Sequence, residues 1–197
     1  MRNKLSSGVL HLASTRNAFA ARKADGSVIT WGDSECGGSN AAVCEKVAAG
    51  VKQVCATRDA FAAVKEDGSV VVWGEAKHGG DSTVVANVLD SGVRQVYSNS
   101  VAFAAIKENG GIVTWGDQTA VASVLARGAD IICVYSTKFA FAAVRADGSV
   151  TSWGDPASGG VIYWGWFPAE IALRSSWSFT APSWQLVVPW APEPFEP

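Results

Sequence analysis

AFAAVKEDGSVVVWG, residues 60–74, reads as two short strands around a tight turn, and the same pattern stands at three other places in the chain. AFAARKADGSVITWG begins at Ala18, AFAAIKENGGIVTWG at Ala102 and AFAAVRADGSVTSWG at Ala140. In each copy an apolar run headed by Phe19, Phe61, Phe103 or Phe141 is followed by Asp-Gly or Asn-Gly and a second apolar run ending at Trp31, Trp73, Trp115 or Trp153. Asp-Gly and Asn-Gly between two such runs are a strong local signal for a β-hairpin, because a two-residue type I′ turn demands positive φ at both central positions. Side chains alternate across a strand, so Trp31 shares a face with Ile29, Trp73 with Val71, Trp115 with Val113 and Trp153 with Thr151. This Phe and Trp face is expected to be the buried one, with these eight aromatics as the anchors of the repeat.

The tryptophans are spaced 42, 42 and 38 residues apart, the last period being shortened by a loop lost after Trp115. Upstream of three hairpins lies another apolar run, over 51–56, 93–98 and 131–136, which is expected to form a third strand. Downstream, 40–48, 81–89 and 117–125 start polar and turn apolar, as one or two helical turns do. A unit of this size made mostly of strands cannot bury both its faces alone and has to stack on its neighbours, and its period lies in the range of propeller blades. The expected fold is all-β: tandem blade-like repeats of about 42 residues in a partial or open β-propeller-like array. The repeats fall at about residues 8–49, 50–91, 92–127 and 128–160.

These residues resemble the regulator of chromosome condensation repeat family, whose blades carry a small-apolar strand, a DG turn, an aromatic-ended strand closing in WG, and a Gly-rich loop. The resemblance covers about residues 8 to 160, and the loop reads WGDSECGG from Trp31, WGEAKHGG from Trp73 and WGDPASGG from Trp153, shortened to WGDQ at Trp115. Ala-Phe replaces the family's usual His-Thr, and its Gln-Leu-Gly loop is absent, which marks a divergent subtype with short repeats. The family's rings close with about seven blades. Four repeats are therefore expected to form an incomplete propeller, a piece of a longer array, or a protomer that completes a ring by self-association. The resemblance implies a non-enzymatic module that binds proteins through loops at the blade ends, with regulatory partners such as small GTPases or ubiquitin-pathway proteins.

Composition narrows the function further. The chain of 197 residues has 16 Lys and Arg against 18 Asp and Glu, a net charge of -2, so no broad basic face for nucleic acid is expected. The four cysteines, Cys36, Cys44, Cys55 and Cys133, lack CxxC spacing, and the first residues lack a continuous apolar core of signal-peptide length. An intracellular protein, cytoplasmic or nuclear, with free thiols and no transmembrane segment is the expectation. No cofactor or metal is expected.

Asp33, Glu75, Asp117 and Asp155 each follow a WG and are set at one height in successive blades, a candidate site for a basic partner. The competing reading has each carboxylate accept hydrogen bonds from the turn that follows it. Cys36 and His78, in the post-WG loops of adjacent blades, are the one pair that could serve as nucleophile and base in a remote, Cys-dependent enzyme reading. Residues 161–197 differ in kind: they hold five of nine Trp and six of seven Pro. This Trp- and Pro-rich tail is expected to cap the last blade, to bind a partner through Trp177, Trp184 and Trp190, or to lie outside structural selection. A tail that docks makes the chain an accessory subunit of a larger complex, the alternative to a free interaction module.

Overall fold

The structure, a computed structural model, describes residues 5–120 and 131–161. It contains four three-stranded antiparallel sheets, each built from strands in sequence order. The first blade comprises β1 (Val9–Ser14), β2 (Ala18–Lys23) and β3 (Val28–Gly32), and the second β4 (Val51–Ala56), β5 (Ala60–Lys65) and β6 (Val70–Gly74). The third has β7 (Val93–Ser98), β8 (Ala102–Lys107) and β9 (Ile112–Gly116), the fourth β10 (Ile131–Ser136), β11 (Ala140–Arg145) and β12 (Val150–Gly154). The expected third strands are present at their expected bounds, and β1 supplies the same element to the first blade. The array is open, with its first and last blades unpaired to each other.

The hairpin turns differ in one detail from the expected type I′. Gly68 N–H donates to Lys65 O at 3.0 Å, and Lys65 N–H donates to Ser69 O at 2.9 Å, so three residues, Glu66, Asp67 and Gly68, form the loop. This is the three-residue hairpin in which a Gly at positive φ closes a bulge, and Gly68 has φ of 78°. Asp67 has a local role: its Oδ1 accepts from Ser69 N–H at 2.9 Å and from Ser69 Oγ at 2.6 Å. The helical expectations shrink to single turns at Ala41–Val43 and Thr83–Val85, with one short helix, α1 (Ala86–Leu89). In the third repeat, residues 117–120 form a turn and 121–125 lie outside the described residues.

Blade stacking follows a plug-and-seat rule. In every blade the Phe and Trp of adjacent strands stack with ring centroids 5.2–5.5 Å apart. The Phe61 and Trp73 face packs, with Val51, Val54 and Ala63, onto Ala18, Ala20 and Val28 of the blade before it. Phe103, Trp115 and Val113 pack likewise onto Ala60, Ala62 and Val64, and Phe141 and Trp153 onto Ala102, Ala104 and Ile106. Alanines thus alternate with Phe along the middle strand because one face receives rings while the other supplies them. The middle blades are consequently buried on both faces. The first blade corrects the sequence expectation: with no blade before it, its Phe and Trp face is the bare one, and Phe19 is 47% exposed.

Candidate interaction site

In the first, second and fourth blades the first-to-second strand turn begins with a threonine that ties it to the loop after WG. Thr15 Oγ1 donates to Cys36 O, Thr57 Oγ1 to His78 O and Thr137 Oγ1 to Ser158 O, at 2.8–2.9 Å. The backbone N–H of Asp33, Glu75, Asp117 and Asp155 donates to the carbonyl of Asn17, Asp59, Val101 and Phe139 respectively, at 2.9–3.0 Å. All of these loops therefore gather at one end of the array. Successive turns are also laced together across blades: Arg16 N–H donates to Arg58 O, Arg58 N–H to Ser100 O, and Ser100 N–H to Lys138 O. This ladder winds the turns of all four blades around a concavity of about 470 Å³ lined by Thr15, Arg16, Thr57, Arg58, Asn99 and Thr137 among others.

The post-WG carboxylates take up the local bonds of the competing reading. Asp33 Oδ1 accepts from Glu35 N–H at 3.0 Å, Asp117 Oδ1 from Thr119 N–H at 2.8 Å, and Asp155 Oδ2 from Ser158 Oγ at 2.6 Å. Glu75 Oε1 accepts a longer bond of 3.4 Å from Lys77 N–H. Hydrogen bonds from Thr119 hold the Asp117 carboxyl below the usual carboxylate range. Asp33 is exposed and the other three are half-buried, so all four also rim the turn-bearing end. Trp177, Trp184 and Trp190 lie outside the described residues.

A buried carboxylate that the repeat pattern does not announce organises the first two blades. Asp59, 4% exposed, meets Arg16 Nη2 at 3.2 Å, Arg58 Nε at 3.8 Å and His78 Nδ1 at 3.0 Å. The Cys36 thiol donates to Asp59 Oδ1 at 3.3 Å. Cys36 and His78, singled out from sequence, are thus brought to opposite oxygens of one carboxylate. Burial pushes the Cys36 thiol up, aided by the Asp59 and Asp33 charges and opposed by Arg16, which keeps it protonated rather than activated. The signal for this hub in the sequence is negative: Asn17, Asp59, Val101 and Phe139 share one repeat position with no common chemistry.

At one hairpin end, Lys107 Nζ donates to the carbonyls of Val88 and Ser91 and staples the approach to β7. Cys55 is half-buried with its thiol on Val96 O at 3.1 Å, and burial pushes it up to about 11.

No known family's sequence profile matches the chain, and no curated protein sequence does. Solved structures do. Prp20p from Saccharomyces cerevisiae superposes with a TM-score of 0.53 at 18% identity, over 74% of this chain and 43% of that one. The fold is similar to that of yeast RCC1. A second determination of the same yeast protein, bound to Kap60, gives a TM-score of 0.53, and human WBSCR16 gives 0.55 at 18% identity over 77% of this chain and 48% of that one. The chain spans less than half the length of these RCC1-like structures, and the likeness establishes the blade architecture. Among the described residues no helix is long and apolar enough to cross a membrane.

Proposed function

We propose that the chain is a non-enzymatic protein-interaction module that binds through the blade-end loops. The observation that carries this reading is the backbone ladder from Arg16 through Arg58 and Ser100 to Lys138, which fixes four turns around one concavity while leaving the Arg16 and Arg58 side chains half in solvent. Rigid presentation of exposed guanidinium and hydroxyl groups lowers the ordering cost of binding, and Arg is favoured at protein interfaces. The rim carboxylates Asp33, Glu75, Asp117 and Asp155 add acceptors for a partner's basic groups. A protein partner is in keeping with the RCC1-like fold, since yeast RCC1 was solved bound to Kap60 and Prp20p was studied for binding to Gsp1p and histones. A regulatory role in a GTPase or ubiquitin pathway rests on this resemblance alone. The Cys36 thiol is buried and held above its usual range, which speaks against its acting as a nucleophile.

The test is quantitative cross-linking of the full chain in native lysate beside the Arg58→Ser, Lys138→Ser double variant. Both side chains project from the turns, so the fold is expected to persist, as checked by melting temperature. Loss of a defined set of cross-linked proteins in the variant supports the reading. An unchanged set in a folded variant overturns it.

A further inference from the structure

The first two internal joints use one set of contacts, and the two ends of the array carry the unmatched halves of the same set. At the first joint Trp73 Nε1 donates to Gly37 O at 3.0 Å, and at the second Trp115 Nε1 donates to Gly79 O at 3.1 Å. These seats are close-fitting: a Cβ on Gly37 would lie 2.6 Å from Phe61 Cδ2, and one on Gly79 2.6 Å from Phe103 Cδ2. The last blade presents the same loop, and its Gly159 has φ of 92° against 85° and 95° at the other two. Among the described residues nothing lies within 4 Å of a Cβ on Gly159. At the opposite end, Phe19 and Trp31 are stacked at 5.4 Å like every other plug, with no seat beneath them among the described residues.

A second set of contacts repeats the relation. Val51 N–H donates to Gly26 O and Val93 N–H to Gly68 O, at 2.9–3.0 Å, as each hairpin turn butts against the start of the next blade. A Cβ on Gly26 or Gly68 would meet the backbone at 2.6 Å, whereas Gly148 of the last turn again has nothing within 4 Å. Val9 of the first blade stands where Val51 and Val93 stand. The end blades also differ from the middle ones in chemistry. At the second position of the first strand the middle blades carry Lys52 and Arg94, while the end blades carry Leu10 and Ile132, 63% and 58% exposed.

From this matching we infer that a second copy of the chain docks head to tail. The Phe19 and Trp31 face of one copy occupies the last blade of the other, Trp31 Nε1 donates to the partner copy's Gly159 carbonyl, and Val9 N–H donates to its Gly148 carbonyl. This contact is distinct from the blade-end surface of the proposed function and stands or falls without it. Closing the contact in both directions yields a ring of two copies.

Sedimentation velocity of the full chain over roughly 1 to 100 µM reads the outcome directly. The expected result is a rise from the 20.6 kDa of one chain to twice that mass. Phe19→Asp and Val150→Asp, one on each bare face, are each expected to stay at one chain's mass. Mixed in equal amounts they are expected to pair, because each retains the half that the other lacks. Growth beyond two copies that both variants abolish also supports head-to-tail docking, without ring closure. A wild-type chain that stays at one chain's mass throughout overturns the inference, and so does association that survives in either variant alone. Leu12→Asp, at a site 57% exposed, replaces Phe19→Asp if that variant lowers the melting temperature.

Discussion

Trp73 Nε1 donates to the carbonyl of Gly37 across the first blade joint at 3.0 Å, whereas Trp153, equally buried at the third joint, has no acceptor for its indole N–H among the described residues. The difference follows from the WGDQ loop after Trp115, which omits the Gly-Gly seat. Trp→Phe removes a similar amount of ring at each position, so the contrast isolates the hydrogen bond. Trp73→Phe and Trp115→Phe are expected to cost about 1 kcal/mol more than Trp153→Phe, measured by denaturant unfolding. Equal losses at all three positions would show that the indole bond does not hold the joints.

Glycine at the seat is required at Gly79 for two reasons and at Gly159 for one. Both have positive φ, but only Gly79 is pressed against a ring. Gly159→Ala is expected to cost about 1 kcal/mol from backbone strain, and Gly79→Ala at least about 2 kcal/mol, since Phe103 has to move as well. Melting curves of the two variants check the order, and a milder effect at Gly79 contradicts the seat.

Removing the Asp59 carboxylate strips two guanidinium groups of their shared counter-charge and takes away the acid beside His78. Breaking a fully buried ion pair costs about 3–5 kcal/mol, and because Arg16 and Arg58 are half in solvent the expected cost of Asp59→Ala is about 2 kcal/mol. Added salt is expected to change this figure little, as the carboxylate is shielded from it. A loss below about 0.5 kcal/mol in urea unfolding would place the hub among weak surface pairs.

Thiol labelling separates the cysteines. Cys44 is exposed and is expected to react first at neutral pH, while Cys36 is buried with its thiol pushed up and is expected to react only as the chain unfolds. Fast, selective labelling of Cys36 in the folded chain would instead restore the enzyme reading.

Cys55 makes stability fall in alkali. Its pKa is raised from 9.0 to about 11 by burial, so the unfolded chain gives up this proton first. The contribution is fully present below pH 9 and is lost as pH rises from 9 to about 11, by at most about 3 kcal/mol. Cys55→Ala is expected to flatten the decline between those values, as followed by denaturant midpoints.

The hairpins and their spacing were legible because Asp-Gly, the Phe and Trp heads and the β-branched runs are local signals repeated four times. The same signals misplaced the turn type, since Asp-Gly fits both a two-residue loop and the last two positions of a three-residue one. That both faces of a middle blade are buried was readable only in part: Ala60 and Ala62 alternate with Phe61, but small residues do not state what will lie on them. The Asp59 hub was illegible, because Arg16, Cys36, Asp59 and His78 are drawn together from non-equivalent repeat positions by the stacking of two blades. The post-WG carboxylates share one repeat register, and their turn bonds follow from the short distance along the chain to Glu35, Thr119 and Ser158.

Strength along such an array is set joint by joint, since the first strands β1, β4, β7 and β10 touch in succession. The joint before Trp153 keeps its aromatic stack but has no acceptor for the indole N–H among the described residues. This joint is therefore the expected fault line: under a pulling force or rising temperature the fourth blade is expected to part first, leaving the Ala102 and Ala104 face as a fresh end.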